Sequence, residues 1–506
     1  MSTVAVLPHI NIELDGQSLP ESAAATLEEV RVQQRLSQPS LCELTFYSGR
    51  DSLVALENFS AGSRVRLTVP ASPNSLFQGE VTAVEYGYGA DHGQRIRVRC
   101  YDMLHRLRKR QPVRVHVQVT PTELAREMVA DLALSVEAAD SGPLVQRLIQ
   151  YKQSDLDLLV EVARRFGLYL ILREDVLYLI NLQGEGAAIS LTLGKDLLEA
   201  RVEVNGDSAC RSVLAKGWDL SRIEVHEGRA DSARVGRSVD AEAPPERFGA
   251  SGERTLADEV LQDDRQADAV AQAELDLRAQ REVTLWGIAD GNPELAPGAT
   301  VDVAGIAGDL VGKYVLTSVT HQVNRRTGFI SEISTAPPAF ENRARAASAA
   351  WGTVTRIDDP EDLGRVCVSL PAIGNVETEW MGVVAAGAGS GKGLVAMPAV
   401  GDQVLILFLG GEVSQGVVLG GLYGVHGPGD YGVEGSVVQR FILSTPGGQK
   451  IRLDDRGESI RLENKGGSFL EFSPQKAHLH AAVDLEIEAP GRAVVIRGKS
   501  IDFREA

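Results

Sequence analysis

The stretch that decides the fold is "WGTVTRIDDPEDLGRVCVSLPAIGNVETEWMGVVAAGAGSGKGLVAMPAVGDQVLILFLGGEVSQGVVLGGLYG", residues Trp351–Gly424. Short β-branched runs separated by glycine and proline fit five strands closing into a small barrel. Inside it, "GAGSGKG" (Gly387–Gly393) has the look of a phosphate-binding loop. Such a loop requires G-x-x-x-x-G-K-[ST], in which glycine amides cradle phosphate and a hydroxyl ligates magnesium. Here Ala386 stands five places before Gly391, and Gly393 occupies the hydroxyl position. The segment therefore reads as a glycine-rich loop between strands.

The order of residues in this stretch is more specific than its pattern. Gly352 and Val354 are followed by Asp359–Pro360, Gly364–Val366 with Val368, and Trp380. Then come Pro398, Gly401, Asp402 and Val404, and finally Val418, Gly420 and Tyr423. This run resembles the OB-fold domain of VgrG and phage baseplate spike proteins. Two upstream segments, "YDMLHRLRKRQPVRVHVQVTPTELAREMV" and "QYKQSDLDLLVEVARRFGLYLI", resemble the tail-hub module shared by VgrG and phage late control D proteins. The likeness spans about residues 40–425.

Upstream of the barrel, alternation in "RVRLTV" and "RIRVR" predicts half-buried antiparallel strands. Thr120, Pro121 and Glu123 form a capping box that opens a helix, and Ser154 caps a second that ends at Gly167, with Leu156, Leu159, Val162 and Phe166 on one face. A hairpin follows near Glu174 and Asp175. Thr255 with Asp258 predicts a long, alanine-rich helix reaching about Arg281. An internal repeat aligns Gly62 with Gly298, Val65 with Val301, Gly79 with Gly312 and Val84 with Val319. Two such modules per chain would give a trimer a pseudo-sixfold ring able to meet a hexameric partner.

Beyond the barrel, apolar pairs two residues apart recur: Ile451/Leu453, Ile460/Leu462, Leu470/Phe472, Leu485/Ile487, Val494/Ile496 and Ile501/Phe503. Each pair marks one short strand that cannot bury a face alone, so three chains intertwined as a β-prism would supply the cover. One pair is missing where His478 and His480 fall. With both imidazoles turned to the axis, three chains would gather six nitrogen ligands for iron or zinc. A one-residue slip instead turns Ala477, Leu479 and Ala481 inward and the histidines to solvent.

The net charge of −18 repels a phosphate backbone, which argues against a nucleic-acid partner. The basic cluster His105–Arg110 reads as a solvated or subunit-facing strip. Cys42, Cys100, Cys210 and Cys367 lack metal or disulfide spacing and read as buried free thiols. The amino terminus lacks a secretory signal pattern, and no apolar run is long enough to span a bilayer, so synthesis in the cytoplasm is expected. No carboxylate pair is singled out as catalytic, and enzymatic activity is not expected.

The expected fold is mainly β with an α+β hub. Its parts are a first hub β-barrel (residues 1–115), an α+β subdomain (116–200) and a second hub β-barrel with a long helix (201–335). A linker (336–350), the OB-fold barrel (351–425) and an intertwined trimeric β-prism or β-helix (426–506) follow. The resemblance implies the structural spike and hub of a contractile injection machine of the compact extracellular-particle type. Its implied partners are two further copies, a hexameric inner-tube protein, baseplate proteins, a PAAR-like tip protein beyond Ala506 and the punctured target membrane. It also implies incorporation into a particle that is released or delivered to a target cell surface. The alternative is a baseplate-associated cell-wall hydrolase or effector carrier.

Overall fold

The computed structural model describes residues 10–48, 59–70, 72, 74–88, 93–249, 251–339, 347–409, 413, 415–425 and 427–503. The expected linker lies partly outside these residues, and Ala506 wholly so. Two compact units divide the chain, Met1–Gly421 and Leu422–Ala506.

The first unit is built on one open, curved sheet of eleven strands. From the amino-terminal half come β1 (Asn11–Leu14), β2 (Leu27–Arg35), β3 (Leu41–Ser48), β4 (Arg64–Thr68), β5 (Ser75–Tyr88) and β6 (Gln94–Tyr101). The later half supplies β7 (Glu185–Thr192), β8 (Leu197–Val204), β9 (Val283–Asp290) and β10 (Ala299–Ala304). It also supplies β11 (Gly312–Val315), β12 (Ser318–Asn324) and β13 (Gly328–Ser334). Of these, β7, β10 and β11 form their own small sheet, and the two-residue strand Gln17–Ser18, paired with β1, completes the eleven. Two separate hub barrels do not form: β12 pairs antiparallel with β2, which joins the halves edge to edge instead of closing each on itself. Alternation packs Val30, Val32, Leu44, Phe46, Val65 and Val98 into one core, and Leu197, Leu285, Val301, Val303, Val319 and Ile333 into a second.

The repeat is visible in the backbone. Gly62 and Gly298 precede β4 and β10 with φ of +94° and +88°, a left-handed conformation that glycine adopts without strain. Cys42 and Cys100 face each other across β3 and β6, and burial pushes the Cys100 thiol up to about 12 and holds that of Cys42 well above its ordinary value. Cys367 is buried too, but Cys210 is only partly so.

Local signals give the helical layer. Thr120 and Glu123 cap each other reciprocally at the Pro121–Val129 helix, and Ser154 and Asp157 do so at Asp155–Arg165. That second helix buries Leu156, Leu159 and Val162, and Gly167 ends it at φ +74°. The strands Tyr169–Arg173 and Val176–Ile180 form the expected hairpin, with Glu174 at φ 51°.

The long helix departs from expectation. Residues Glu253–Val260 are a strand pairing in parallel with Ser212–Asp219, and the helix runs Asp264–Glu282 with Asp263 accepting from the Gln266 amide at 2.8 Å. Tertiary pairing of the Thr255 segment overrides its resemblance to a capping box. The basic cluster lies on a 3₁₀ helix, Met103–Lys109, whose Leu104, His105 and Leu107 are buried while Arg106, Arg108 and Lys109 stay exposed. His105 is buried against Glu80 at 2.5 Å, and Arg106 holds the same carboxylate at 2.6 Å. Hydrogen bonding to Arg106 keeps the Glu80 carboxyl below its usual range despite its burial.

Candidate functional site

The barrel is β14 (Ser348–Arg356), β15 (Arg365–Leu370), β16 (Met381–Val383), β17 (Gln403–Phe408) and β18 (Gly416–Gly421). Antiparallel pairing of β14 with β15 closes it. Each motif residue has a local task. The Asp359 carboxylate accepts backbone N–H groups of Glu361, Leu363 and Arg365 and the Arg365 guanidinium at 2.7 and 2.9 Å. That pairing, Arg365 first, holds Asp359 well below the ordinary carboxylate range. Gly352 is required because a Cβ there would lie 2.4 Å from Val368 Cγ1. Arg356 stacks on Trp380 at 4.6 Å.

In the "GAGSGKG" loop, Gly389 and Lys392 exchange backbone hydrogen bonds at 3.1 Å, and Leu394 N–H donates to Ala386 at 2.9 Å. The Gly389, Lys392 and Leu394 amides are therefore spent within the loop, and among the described residues no helix follows to aim a dipole at phosphate. The barrel is tied to the hub by Arg147, which donates to Glu379 at 2.9 Å and to the Glu377 carbonyl at 2.8 Å, and by Arg222 with Glu361 at 3.0 Å.

The second unit presents the surface of interest. Strands β19 (Arg440–Ser444), β20 (Lys450–Asp454), β21 (Ser459–Glu463), β22 (Phe469–Phe472) and β23 (Ala477–His480) form an antiparallel meander. An intertwined β-prism was expected here; the single chain instead forms this open sheet. Tight turns set its register: Asn464 accepts from the Ser468 amide at 3.0 Å, and Gly448 and Gly467 take φ of +88° and +92°.

That register divides the faces. Phe441, Leu453, Ile460 and Phe472 align across neighbouring strands, as do Leu443, Ile451, Leu462, Leu470 and Leu479. Two apolar rows thus cover one face, and most of these side chains are exposed in the single chain. A shallow hollow of about 510 Å³ lies among Ile451, Leu462, Leu470, Leu479, Val483 and Leu485. Such a contiguous apolar surface marks an interaction site. The opposite face carries Arg452, Arg461, Glu463, Glu471, His478 and His480.

His478 and His480 therefore stand opposite the apolar rows. Phe469 stacks on His480 with centroids 5.0 Å apart and meets His478 edge-on at 5.1 Å, and Arg461 lies over the Phe469 ring at 3.8 Å. Among the described residues no group of three or more His, Cys, Asp or Glu could hold a metal within one chain. Leu479 supplies the apolar position that the histidines seemed to interrupt. The strand β19 was missed by sequence reasoning although Phe441 and Leu443 repeat the same spacing, because proline and glycine follow them directly. From residue 481 to 503 no strand is formed among the described residues, and Leu485, Ile487, Val494, Ile496, Ile501 and Phe503 are exposed.

Comparison with known proteins gives two family matches. The family described as the Alg8 N-terminal domain matches residues 5–325, and the type VI secretion system/phage-baseplate injector OB domain matches residues 350–423. No curated protein matches the chain. Among solved structures, a VgrG in complex with PdpA from Francisella is similar with a TM-score of 0.55 at 9% identity, covering 93% of this chain and 79% of that one. An Escherichia coli component of the type VI secretion system is similar with a TM-score of 0.54 at 14% identity, covering 81% of this chain and 99% of that one. The 43 kDa tail protein of prophage MuSo2 from Shewanella oneidensis has a TM-score of 0.50 at 15% identity, covering 64% and 97%.

Proposed function

We propose, for a chain that belongs to the Alg8 N-terminal domain family and ends its first unit in an injector OB barrel, a structural role as the central hub and spike of a contractile injection machine. The observation that carries this reading is the pair of apolar rows on the β19–β23 meander. A single chain leaves them in water, whereas three copies around an axis would cover them and offer partners to the strandless segment 481–503. Force then passes through an interlocked needle, which needs stiffness and no catalytic group.

The hub would contact the hexameric inner tube and baseplate proteins, and the end of the needle would seat a PAAR-like tip protein before meeting the target membrane. Among the described residues no helix is long and apolar enough to cross a membrane. Light scattering on the purified full chain tests the reading: a trimer is expected, and a monomer at all concentrations overturns it. Iron or zinc on the axis would require the face of His478 and His480 to turn inward, against the side the apolar rows favour. The expected result of metal analysis on the trimer is no stoichiometric metal, and one ion per trimer would reverse the orientation of the needle faces.

A further inference from the structure

Cys42 and Cys100 lie far apart in sequence and side by side in the fold. Cys42 stands in β3 and Cys100 in β6, and the two are register partners with no bulge between the strands. The Asp102 amide donates to the Ser40 carbonyl at 3.1 Å, which makes Ser40 and Asp102 a hydrogen-bonded pair. Such pairs recur at every second residue, so Cys42 and Cys100 form the next one, with Cα atoms about 5.5 Å apart. That separation lies inside the range of about 4.4–6.8 Å over which a disulfide can close.

Both side chains point into one core, in a row that runs Val32, Cys42, Cys100, Val81 across four strands, all of them buried. Valine fills the rest of the row, so two adjacent thiols are the exception in it. Among the described residues no third ligand-type side chain joins them into a group that could hold a metal ion. Burial raises both thiols, and the neighbouring Cys100 sulfur adds to the rise at Cys42. In the closed sheet neither reacts, because the thiolate is the nucleophile and an oxidant has no access to it.

We propose that Cys42 and Cys100 are a latent redox staple: a cross-strand disulfide closes between them on exposure to a small-molecule disulfide and locks β3 to β6. One cysteine, deprotonated during a local opening of the sheet, attacks the small-molecule disulfide and releases half of it as a thiol; the second cysteine thiolate then displaces the other half. One S–S bond and two cysteine S–H bonds are consumed, and one Cys42–Cys100 bond and two small-molecule thiols are formed. The protein gives up two electrons and two protons, and the small-molecule disulfide is reduced. The closed ring runs from residue 42 to residue 100 and holds β4 and β5, a long loop whose closure removes freedom from the unfolded chain. Reducing surroundings keep the pair open and oxidising ones close it. The staple acts in a single chain and in an assembly alike, so it stands apart from the hub-and-spike reading.

The test treats the full chain with oxidised glutathione at about pH 8, near the thiol range, in urea below the unfolding midpoint, and then returns it to native buffer. Trypsin separates the two cysteines onto segments 36–50 and 100–106. The expected product is these two segments linked, lighter by two hydrogens than their sum and parted by dithiothreitol. The oxidised chain should unfold at a urea midpoint about 0.5–2 M above that of the reduced chain. Cys100→Val, which continues the valine row, should show neither the link nor the shift. Closure without urea should be slower, because the sheet must open first, and equal rates overturn the buried route. Thiols left unreacted, glutathione carried separately on either segment, a link of either to the segment holding Cys367, or a linked chain no more stable than the reduced one overturns the staple.

Discussion

Under the trimeric reading proposed above, replacing Leu453 and Ile460 together by alanine should weaken the association of the chains and spare the first unit. The two face each other across β20 and β21 and remain 42% and 46% exposed in the single chain. Full burial of a leucine or isoleucine is worth about 1.5–3 kcal/mol, so covering the remaining surface contributes about 1 kcal/mol per side chain. Two sites in three chains give about 5 kcal/mol per trimer, allowing for the methyl groups that alanine keeps. At 1.4 kcal/mol per decade this weakens association by roughly three to four orders of magnitude. More than half of each side chain is already covered within one chain, so the separate second unit should also lose about 1 kcal/mol per site, and the dilution series separates that from the loss of association. Light scattering across a dilution series measures the shift. Arg452→Ala, on the opposite face of β20, serves as control, with an expected effect under about 1 kcal/mol. Unchanged association of the double variant, or equal dissociation of the control, would refute the assignment of the apolar rows to the interface.

Three further outcomes are expected. His321 is buried, its Nε2–H donating to the Leu295 carbonyl at 3.0 Å and its Nδ1 accepting from Ser331 at 2.9 Å; burial pushes it down to about 4. The unfolded chain takes up this proton first, so stability falls as pH drops from about 6.5 to about 4, by about 3 kcal/mol, and is flat below. Urea midpoints at pH 7, 5 and 4 for the parent and His321→Gln should show that slope lost in the variant. Asp359→Asn leaves the buried Arg365 guanidinium only the more exposed Glu361, 3.4 Å away, and should cost up to about 3–5 kcal/mol in barrel stability at pH 7, read by thermal unfolding. The Asp359 carboxyl is depressed by Arg365, so its contribution is full above about pH 4 and is lost as pH falls through the lower folded value. Gly228→Ala puts a Cβ 2.2 Å from the backbone of Ala267 and Asp268 and should destabilise the packing of the Asp264–Glu282 helix by about 1–3 kcal/mol or more, visible in the same urea series.

The barrel and the helix caps were legible in the sequence because their determinants are local. Asp359 bonds to residues within six positions of itself, Gly352 admits a neighbouring strand, and Thr120 and Ser154 satisfy amides three residues on. The apolar pairs of the needle were legible too, since alternation needs only the chain's own period. Period two cannot say which strands become neighbours or what lies across from a face. Thr255 carries a capping pattern yet sits in a strand, because pairing with Ser212–Asp219 outweighs it. Sequence alone left two faces for His478 and His480, and the register with β22 places them on the face opposite Leu479 and Leu470. The repeat showed two similar modules, but only the pairing of β12 with β2 decided that they share one sheet. Strand edges are satisfied by residues hundreds of positions apart, so their pairing is a property of tertiary structure and not of local sequence.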